Sequence, residues 1–389
     1  MQQEHEQLLM ALLSQPTAPF REMFVTRWVT AVLAQHAIPY FIDPIGNIVV
    51  GATSLTDYRR LLRETSSEPL RVFIAHMDHP GFHGVRWLAP TVLQIRWHGG
   101  SPTKLLRGSR VWLTTAAGWT GEGVLGNIKL HPKGYAIGTA EVQVKASLRM
   151  DGRPAAKQLF GGFQFRKPVW KSGSKLYTQA ADDLVGVFCI VATALEVFGK
   201  RRQQQRPPFI GLLTRAEEVG LVGAVGHLEA GYLQAARRPV VCVSLEASRT
   251  LPGAVVGKGP IVRLGDRRTP FQADYLQVLT ELAESVLPKQ HQRRIMDGGS
   301  CEGSAAMAYG LPTIALAVPL GNYHNQGLEG GPDCRGVNGP APEFVHIEDI
   351  EGQRQLCVAL MTAQLPWNRP WHKVKSRLQE NYRAYQKLL

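Results

Sequence analysis

At 389 residues the chain is long enough to bury a large core, and its length is typical of two domains. Hydrophobic residues make up 44% and charged residues 19%, a balance typical of globular proteins that argues against a disordered chain. Much of the formal net charge of +13 lies in short basic clusters without a nucleic-acid motif. Solvated loops and helix ends are therefore favoured over binding to nucleic acid or acidic peptides.

The N-terminus and the cysteines indicate the compartment. Glu4 and Glu6 stand where a signal peptide would carry basic residues, and apolar runs such as Leu184 to Leu195 are interrupted or too short to cross a bilayer. The five cysteines are scattered and form no Cys-x-x-Cys pair, which argues against a disulfide framework and against a thiolate zinc site. We therefore expect a cytoplasmic protein without a membrane-spanning segment.

Helical and strand patterns alternate over the first 80 residues. Val25, Trp28, Val29 and Val32 recur at the three- and four-residue steps of one helical face, whereas the polar stretch from Ser54 to Pro69 is predicted to be a surface excursion. The predicted elements in this part are helices from Glu4 to Leu13 and from Pro19 to Gln35, a strand pair at Phe41–Ile42 and Asn47–Val50, and a buried strand from Val72 to Asp78.

The pattern changes between about Gly81 and Phe165. Segments such as Val92 to Trp97 alternate apolar and polar residues, and Gly and Pro interrupt them at short intervals. This pattern predicts a small all-β module inserted into an α/β domain. We therefore expect an α/β fold with a mixed sheet flanked by helices, formed by residues 1–80 and 171–389, and an inserted β-barrel-like domain formed by residues 81–170.

The α/β pattern returns after the insertion. The predicted elements are helices from Leu184 to Phe198, Gly220 to Gln234, Phe271 to Val286 and Ile347 to Ala363, strands from Phe209 to Thr214, Pro239 to Leu245 and Thr313 to Pro319, and a basic loop from Lys200 to Pro208. The tail from Trp371 to Leu389 carries one apolar face. Docking of this face on its own domain is favoured, and an interface with a partner or another subunit is the alternative.

Acidic residues and histidines occur where the predicted strands end. The residues that follow an apolar strand are His76, Glu217, Glu218, Glu246 and His324, and Asp182 and Asp183 stand at the start of a helix. Since ligands bind at the carboxyl ends of the strands in such sheets, we expect these side chains to converge. Asp78 lies two residues beyond His76 and faces the same side of the strand, where it suits the second ring nitrogen of a ligating histidine.

Two histidines and three carboxylates form a ligand set for two divalent metals that share one bridging acid. Buried acids repel one another and resist ionising unless a cation neutralises them. Imidazole with carboxylate suits Zn²⁺, or Mn²⁺ or Co²⁺ where carboxylates dominate, and such metal pairs activate a bridging water. Of the adjacent acids Glu217 and Glu218, one would coordinate and the other would take the proton of the water. The alternative is that these acids, like Asp182 and Asp183, cap helices at the surface.

Five stretches of the chain, in this order, resemble the glutamyl and deblocking aminopeptidase family of co-catalytic zinc metallopeptidases, whose members often build tetrahedral dodecamers. The matching stretches are Ala75 to Phe82, Ala181 to Asp183, Ala216 to Ala224, Gly298 to Ser300 and Pro319 to His324. The resemblance extends from about Phe20 to Ala363. It implies a zinc-peptidase/phosphorylase-like fold and a homo-oligomer that forms through the inserted β domain.

The resemblance also implies a role for each candidate residue. The implied metal ligands are His76 and Glu246 for one ion, Glu218 and His324 for the other, and Asp182 as the bridge between them. Glu217 would be the general base, and Asp78 would orient His76. Relatives often have a cis peptide bond after the bridging Asp, so we expect one between Asp182 and Asp183.

The chain departs from the family pattern at four places. It has His79–Pro80 where the family commonly has Glu, Leu184 where it has Arg, Ser300–Cys301–Glu302 where it has Thr-Asp, and Glu246 where Asp is more frequent.

The expected function is that of a metal-dependent aminopeptidase acting on peptides. One alternative is an amidohydrolase that uses the same metals on N-acyl amino acids or other small molecules. The other is a metal-poor protein that binds nucleic acid through its basic surface.

Overall fold

The computed structural model describes residues 1–145, 153–199, 206–362 and 365–389. The helices, numbered along the chain, are α1 (Gln3–Leu13), α2 (Met23–Gln35), α3 (Leu55–Arg63), α4 (Leu184–Gly199), α5 (Val222–Glu229), α6 (Ala273–Val286), α7 (Glu302–Ala308), α8 (Ile347–Leu360) and α9 (His372–Tyr385). Among the described residues, no helix combines the length and the apolar content that a membrane span needs.

A mixed eight-stranded sheet forms the centre of the main domain. In spatial order its strands are β1 (Tyr40–Ile42), β2 (Ile48–Val50), β12 (Phe209–Thr214), β3 (Leu70–His76), β13 (Val240–Arg249), β16 (Thr313–Leu320), β14 (Ile261–Gly265) and β15 (Gln292–Ile295). The neighbours β12, β3, β13 and β16 run parallel, whereas β2 and β14 join them in the antiparallel direction. The prediction of a mixed sheet flanked by helices is confirmed.

Helices cover both faces of this sheet, so its central strands are apolar on both sides. Along β3, Phe73 and Ala75 pack in one core with α1, α2, α4, α6 and α8. The alternate residues Val72 and Ile74 pack in a second core with α3, α5 and α7. Because successive side chains of a strand point to opposite faces, an uninterrupted apolar run is what this double burial requires.

The segment between β3 and α4 forms a closed six-stranded barrel and part of a small sheet. The barrel strands, in order around the barrel, are β4 (Gly81–Ala89), β5 (Val92–His98), β8 (Ile137–Val144), β7 (Thr120–Leu130), β6 (Arg110–Thr114) and β9 (Phe160–Phe163). Alternate residues such as Leu93, Ile95 and Val142 fill the interior. The small sheet consists of β10 (Val169–Ser172), β11 (Lys175–Thr178) and β17 (Glu343–His346).

Two local predictions differ from the structure, and a third is tested only in part. The stretch predicted as a surface excursion contains α3, because Ser54 caps its first turn by accepting from Asp57 N, and Tyr58, Leu61 and Leu62 are buried at helical spacing. The helix predicted from Gly220 to Gln234 is shorter in the structure. It corresponds to α5, which ends at Glu229, two residues before a glycine with positive φ at position 231. Most of the predicted basic loop, residues 200–205, lies outside the described residues.

The C-terminal helix α9 projects from the main domain. Its start is held by a hydrogen bond from Trp371 Nε1 to Asp274 Oδ1 at 2.6 Å and by an ion pair between Lys373 and Glu281 at 3.1 Å. Beyond this start the apolar side chains are open to solvent, and Tyr385 is 65% exposed. The favoured prediction, docking of the tail on its own domain, is therefore wrong. Among the described residues no apolar surface of the domain covers the stripe, since Leu378, Tyr382 and Tyr385 are each more than half exposed.

Candidate metal centre

Neighbouring parallel strands bring the predicted site residues to one edge of the central sheet. His76 is the last residue of β3, the turn Glu217–Val219 follows β12, and His324 follows β16. Since β12, β3, β13 and β16 are neighbours, their carboxyl ends lie side by side. Asp182 reaches the same edge from the turn that precedes α4. The topology therefore gathers residues from distant parts of the chain around one point.

Glu246 reaches this edge in a different way from the one predicted. It lies inside β13 instead of after it, because that strand continues to Arg249 in register with β16. The pairing of β13 with β3 ends earlier, at Ser244 opposite Ile74. Beyond this pair the side of β13 that faces β3 is open, and Glu246 meets His76 there.

The predicted ligands form two overlapping groups that share Asp182. One group contains His76, Asp182 and Glu246, and the other contains Asp182, Glu218 and His324; within each group the ligand atoms all lie within 4.8 Å of one another. Asp182 Oδ1 lies 3.3 Å from His76 Nε2, and Asp182 Oδ2 lies 3.6 Å from His324 Nε2. His324 Nε2 is also 3.1 Å from Glu218 Oε2. Asp182 thus turns one oxygen toward each group, as a bridging carboxylate must.

Several oxygens of this cluster are buried without a hydrogen-bond donor among the described residues. They are Asp182 Oδ1, Glu218 Oε1 and Glu246 Oε1. A buried carboxylate oxygen that accepts no hydrogen bond is costly unless a cation faces it. Imidazole nitrogens and carboxylate oxygens are also the donor types that zinc and related divalent metals take. The residues present therefore fit a pair of divalent ions.

The pKa values show that the acids of this cluster need positive charge beside them. Burial raises the pKa of Glu246 to about 8. Burial lowers the pKa of His324, but Glu218 and Asp182 outweigh this effect and raise it to about 10. Burial also disfavours the ionised form of Asp182, yet the nearby side chains of His324 and His76 hold its pKa below the usual range. The acids therefore ionise only beside positive charge, which protons on the histidines or bound cations supply.

Asp78 supports the site mainly through the backbone of its neighbours. Its carboxylate accepts hydrogen bonds from Glu217 N at 2.9 Å and from Glu218 N at 3.2 Å. The ring of His76 is oriented by the main chain, because its Nδ1 donates to the carbonyl of Asp78 at 3.1 Å, while the carboxylate is 3.7 Å away. This hydrogen bond leaves Nε2 of His76 as the nitrogen that faces Asp182.

Two turns near the site contain left-handed backbone. Ala216 has φ 52° just before Glu217, and His324 has φ 54°. Residues with a β-carbon adopt this region rarely, so the surroundings must hold them there. The peptide bond between Asp182 and Asp183 is cis, as the resemblance implies.

Sequence reasoning missed two residues that line the pocket beside the candidate ligands. Arg263 is buried in β14, its Nη1 lies 3.7 Å from Glu246 Oε1, and its Nε and Nη1 have no hydrogen-bond acceptor among the described residues. Tyr323 stacks on the ring of His324 with centroids 3.7 Å apart. Both residues border the pocket, together with Ser248, Arg249, Met296 and Asp297. An isolated arginine within the apolar stretch Ile261 to Leu264 was a signal that could have revealed the first of them.

Residues that depart from the family pattern lie close to the site. His79 is buried, and its two ring nitrogens lie 2.8 Å from the Asp182 carbonyl and 3.2 Å from Asn325 Oδ1. Glu302 is buried and accepts a hydrogen bond from Thr214 Oγ1 at 2.6 Å. Leu184 packs in the main core. None of these side chains belongs to the two groups of ligand atoms.

The comparisons with known proteins place the chain in a family. The family model for M42 glutamyl aminopeptidases matches residues 60–328. The chain belongs to the M42 glutamyl aminopeptidase family. The predicted resemblance is thus confirmed, and with it the class of enzyme, a metallopeptidase that hydrolyses N-terminal residues and whose family membership implies divalent metals. No curated protein matches the chain.

Solved structures show the same fold at low sequence identity. The structure described as PhTET1-12s, a dodecamer, is 22% identical with a TM-score of 0.70, covering 94% of this chain and 100% of its own. The Pyrococcus horikoshii TET1 peptidase, described as assembling into a tetrahedron or a large octahedral shell, is 21% identical with a TM-score of 0.69 and coverages of 92% and 100%. Aminopeptidase APDkam598 from Desulfurococcus kamchatkensis is 21% identical with a TM-score of 0.71 and coverages of 94% and 96%.

Proposed function

We propose that this M42 aminopeptidase uses two divalent ions at the edge of the central sheet. His76 and Glu246 would hold one ion, Glu218 and His324 would hold the other, and Asp182 would bridge them. The observation that carries the proposal is the sharing of Asp182 by the two groups of ligand atoms. When bound, such ions lower the pKa of a water molecule and polarise the scissile carbonyl. The mixture of imidazole and carboxylate favours zinc, with cobalt or manganese as alternatives.

Glu217 is the proposed general base. Its Oε2 lies 3.9 Å from His76 Nε2, it forms a third group of possible ligands with His76 and Glu218, and its backbone N–H is held by Asp78. Burial raises the pKa of Glu217 well above its ordinary value, against the attraction of His76. A carboxylate with a raised pKa accepts a proton readily near neutral pH. Glu217 therefore takes the proton of the attacking water and returns it to the leaving amino group.

Asp78 is proposed to act by positioning these groups. Through its two carboxylate oxygens it holds the backbone of Glu217 and Glu218, and through its carbonyl it orients His76. Asp78 thereby fixes the positions of the base Glu217 and of Glu218 and His76, one ligand of each proposed ion. Positioning of this kind keeps the reacting groups at fixed separations, which is the main requirement of a site assembled from turns.

An acidic N-terminal side chain is the proposed substrate group. The buried Nε and Nη1 of Arg263 lack acceptors among the described residues and border the pocket beside Glu246. A substrate carboxylate would satisfy these donors with charge-assisted hydrogen bonds. The description of the family as glutamyl aminopeptidases supports the same preference. We expect peptides that begin with Glu or Asp to be hydrolysed fastest.

The proposed state of the enzyme is a cytoplasmic homo-oligomer. The barrel-containing domain, residues 81–170, would contact neighbouring subunits, and the catalytic domain would comprise residues 1–80 and 171–389. Exposed apolar side chains on the barrel, among them Leu88, Leu130 and Tyr135, support this assignment. The assemblies described for the TET structures support an oligomer as well. Light scattering of the purified chain would measure the number of subunits, and a strict monomer would contradict this part of the proposal.

A substrate panel with metal removal tests the function. Protein treated with a chelator should lose hydrolysis of aminoacyl nitroanilides and regain it when zinc, cobalt or manganese is added. Peptides with an acetylated N-terminus should resist, because the free amino group identifies the end that an aminopeptidase recognises. Faster hydrolysis of N-acyl amino acids than of aminoacyl nitroanilides would favour the alternative amidohydrolase and refute the aminopeptidase.

A further inference from the structure

Glu343 is a buried carboxylate that the proposed mechanism leaves without a task. It is the first residue of β17 and is completely buried. Its Oε2 accepts hydrogen bonds from Ala181 N at 2.7 Å and from Asp182 N at 3.2 Å. Its Oε1 accepts a hydrogen bond from His324 N at 2.9 Å. One side chain thus joins the backbones of two candidate metal ligands that are far apart in the sequence.

The position of β17 explains why this side chain can reach both ligands. Glu343 pairs with Thr178 in the small sheet, just before the turn that carries Asp182. The next residue, Phe344, exchanges backbone hydrogen bonds with Gly321 at 2.9 and 3.1 Å, just before His324. The carboxylate of Glu343 therefore lies between two segments that its own strand already holds.

We propose that Glu343 is a positioning residue that sets the separation of Asp182 and His324. This inference rests on the proposed two-metal function. His324 adopts left-handed backbone in a short turn, which supplies little restraint of its own. Its N–H is oriented by Glu343 from outside the turn, and the opposite oxygen of the same carboxylate fixes the bridging acid. This arrangement would support the ion that Asp182, Glu218 and His324 would hold, named the second ion.

The chain offers a matched control for this residue. Asp349 is also a buried carboxylate whose two oxygens accept backbone hydrogen bonds, from Gly257 N at 2.6 Å and Gly259 N at 2.7 Å. It lies in α8 and belongs to neither group of ligand atoms. Replacing either acid by its amide removes the same kind of interaction. A difference between the two variants therefore isolates the effect on the metal ligands.

Glu343→Gln keeps the shape of the side chain but exchanges one acceptor oxygen for an NH₂ group. In either orientation this NH₂ group faces a backbone N–H, that of His324 or those of Ala181 and Asp182. We expect the second ion to bind about 10–100-fold more weakly, the usual effect of removing a partner that orients a metal ligand. Asp349→Asn should keep the wild-type affinity of both ions and only lower the melting temperature.

The experiment titrates metal-free protein with Co²⁺ and follows the visible absorption of the bound metal, together with kcat and KM. Wild type should bind two ions per subunit, and Glu343→Gln should bind one of them tightly and the other weakly. Wild-type binding of fewer than two ions would refute the two-metal function itself. Wild-type affinity for both ions in folded Glu343→Gln, or equal weakening in Asp349→Asn, would overturn the role of Glu343.

A second variant keeps the test decisive if Glu343→Gln does not fold. Glu343→Asp retains two acceptor oxygens on a side chain shorter by one methylene, so it cannot reach both backbones at their present separation. It should weaken the second ion while leaving the first unchanged. Unchanged affinity for both ions in this variant would equally overturn the inference.

Discussion

The two halves of the candidate metal centre are built in different ways. His76 and Glu246 lie on neighbouring parallel strands, where the sheet still pairs His76 with β12 and Glu246 with β16. Glu218 and His324 lie in short turns, and His324 itself has left-handed backbone. Ligands on strands take their positions from the register of the sheet, whereas ligands on turns need contacts from elsewhere. We therefore expect the half with His324 to be the more sensitive to distant substitutions.

The inserted barrel is one of the elements that support the half built from turns, which contains Glu218 and His324. Gly100 lies in the loop after β5, and a β-carbon at this position would collide with Nδ1 of His324. Ser101 fixes this loop to the barrel by accepting from Ile137 N at 2.8 Å, and Trp97 Nε1 donates to the Gly100 carbonyl at 3.1 Å. The barrel thus packs directly against a candidate metal ligand. No comparable barrel contact with Glu246 occurs among the described residues that line the pocket.

The largest expected effect is a loss of turnover that leaves metal binding unchanged in both halves of the centre. Glu217→Gln should keep two ions bound but lower kcat by about 10²–10⁴, the range for loss of a general base. The amide cannot accept the proton of the attacking water, while the proposed ligands are unchanged. Steady-state kinetics combined with elemental analysis measures both quantities. Full activity in this variant would remove Glu217 from the role of base.

The next prediction tests whether the half that contains His324 depends on the barrel. Gly100→Ala should displace the ring of His324 and weaken the second ion about 10–100-fold, as loss of ligand orientation does elsewhere. Gly126→Ala is the control, because it lies on the same barrel and a β-carbon there meets no atom within 4 Å. Metal titration of both variants measures the difference. Equal affinities would show that the barrel does not support the centre.

Much of this centre could be predicted from the sequence because of one property of parallel sheets. His76 ends an apolar strand, Glu218 and His324 follow apolar strands, and the carboxyl ends of such strands meet at one edge. The role of Glu343 could not be predicted, because it depends on the pairing of β17 with β11 and with Gly321, which no local pattern encodes. Glu246 was assigned to the right edge but to the wrong place along it. The strand β13 continues to pair with β16 after its pairing with β3 has ended.

The prediction for α3 failed because polar and charged residues separate the apolar residues of its buried face. In α3 the buried residues Tyr58, Leu61 and Leu62 are separated by polar and charged ones, so the stretch resembles a loop in composition while keeping helical spacing. The tail shows the opposite error. Leu378, Tyr382 and Tyr385 also recur at helical spacing, but no groove of the domain receives them within the described residues. Spacing therefore predicts a helix but does not say what its apolar face contacts.

A smaller effect concerns selectivity beside the strand-built half. Arg263→Met should lower kcat/KM for a glutamyl substrate relative to a leucyl substrate by about tenfold, as expected for loss of about 1.5 kcal/mol from a hydrogen bond to a charged group. The ratio of the two substrates cancels changes that affect metal binding or folding equally. An unchanged ratio would show that Arg263 does not recognise the acidic side chain.

The smallest effect lies outside both halves. Ser54→Ala removes the cap of α3 and should lower the free energy of unfolding by about 1 kcal/mol. Metal affinity and selectivity should stay at wild-type values, since α3 packs in the core on the face that contains none of the candidate ligands. Thermal unfolding and cobalt titration would measure the two effects. A loss of metal affinity here would mean that general destabilisation alone explains the sensitivity of the turn-built half.

The central claim is that two ions share Asp182 between a strand-built half and a turn-built half. Elemental analysis of purified wild type and His324→Ala, each reconstituted with zinc and freed of excess metal, tests it most directly. We predict two ions per subunit in the wild type and one in the variant, with the ion of His76 and Glu246 retained. A single ion in the wild type, or two tightly bound ions in His324→Ala, would contradict the claim.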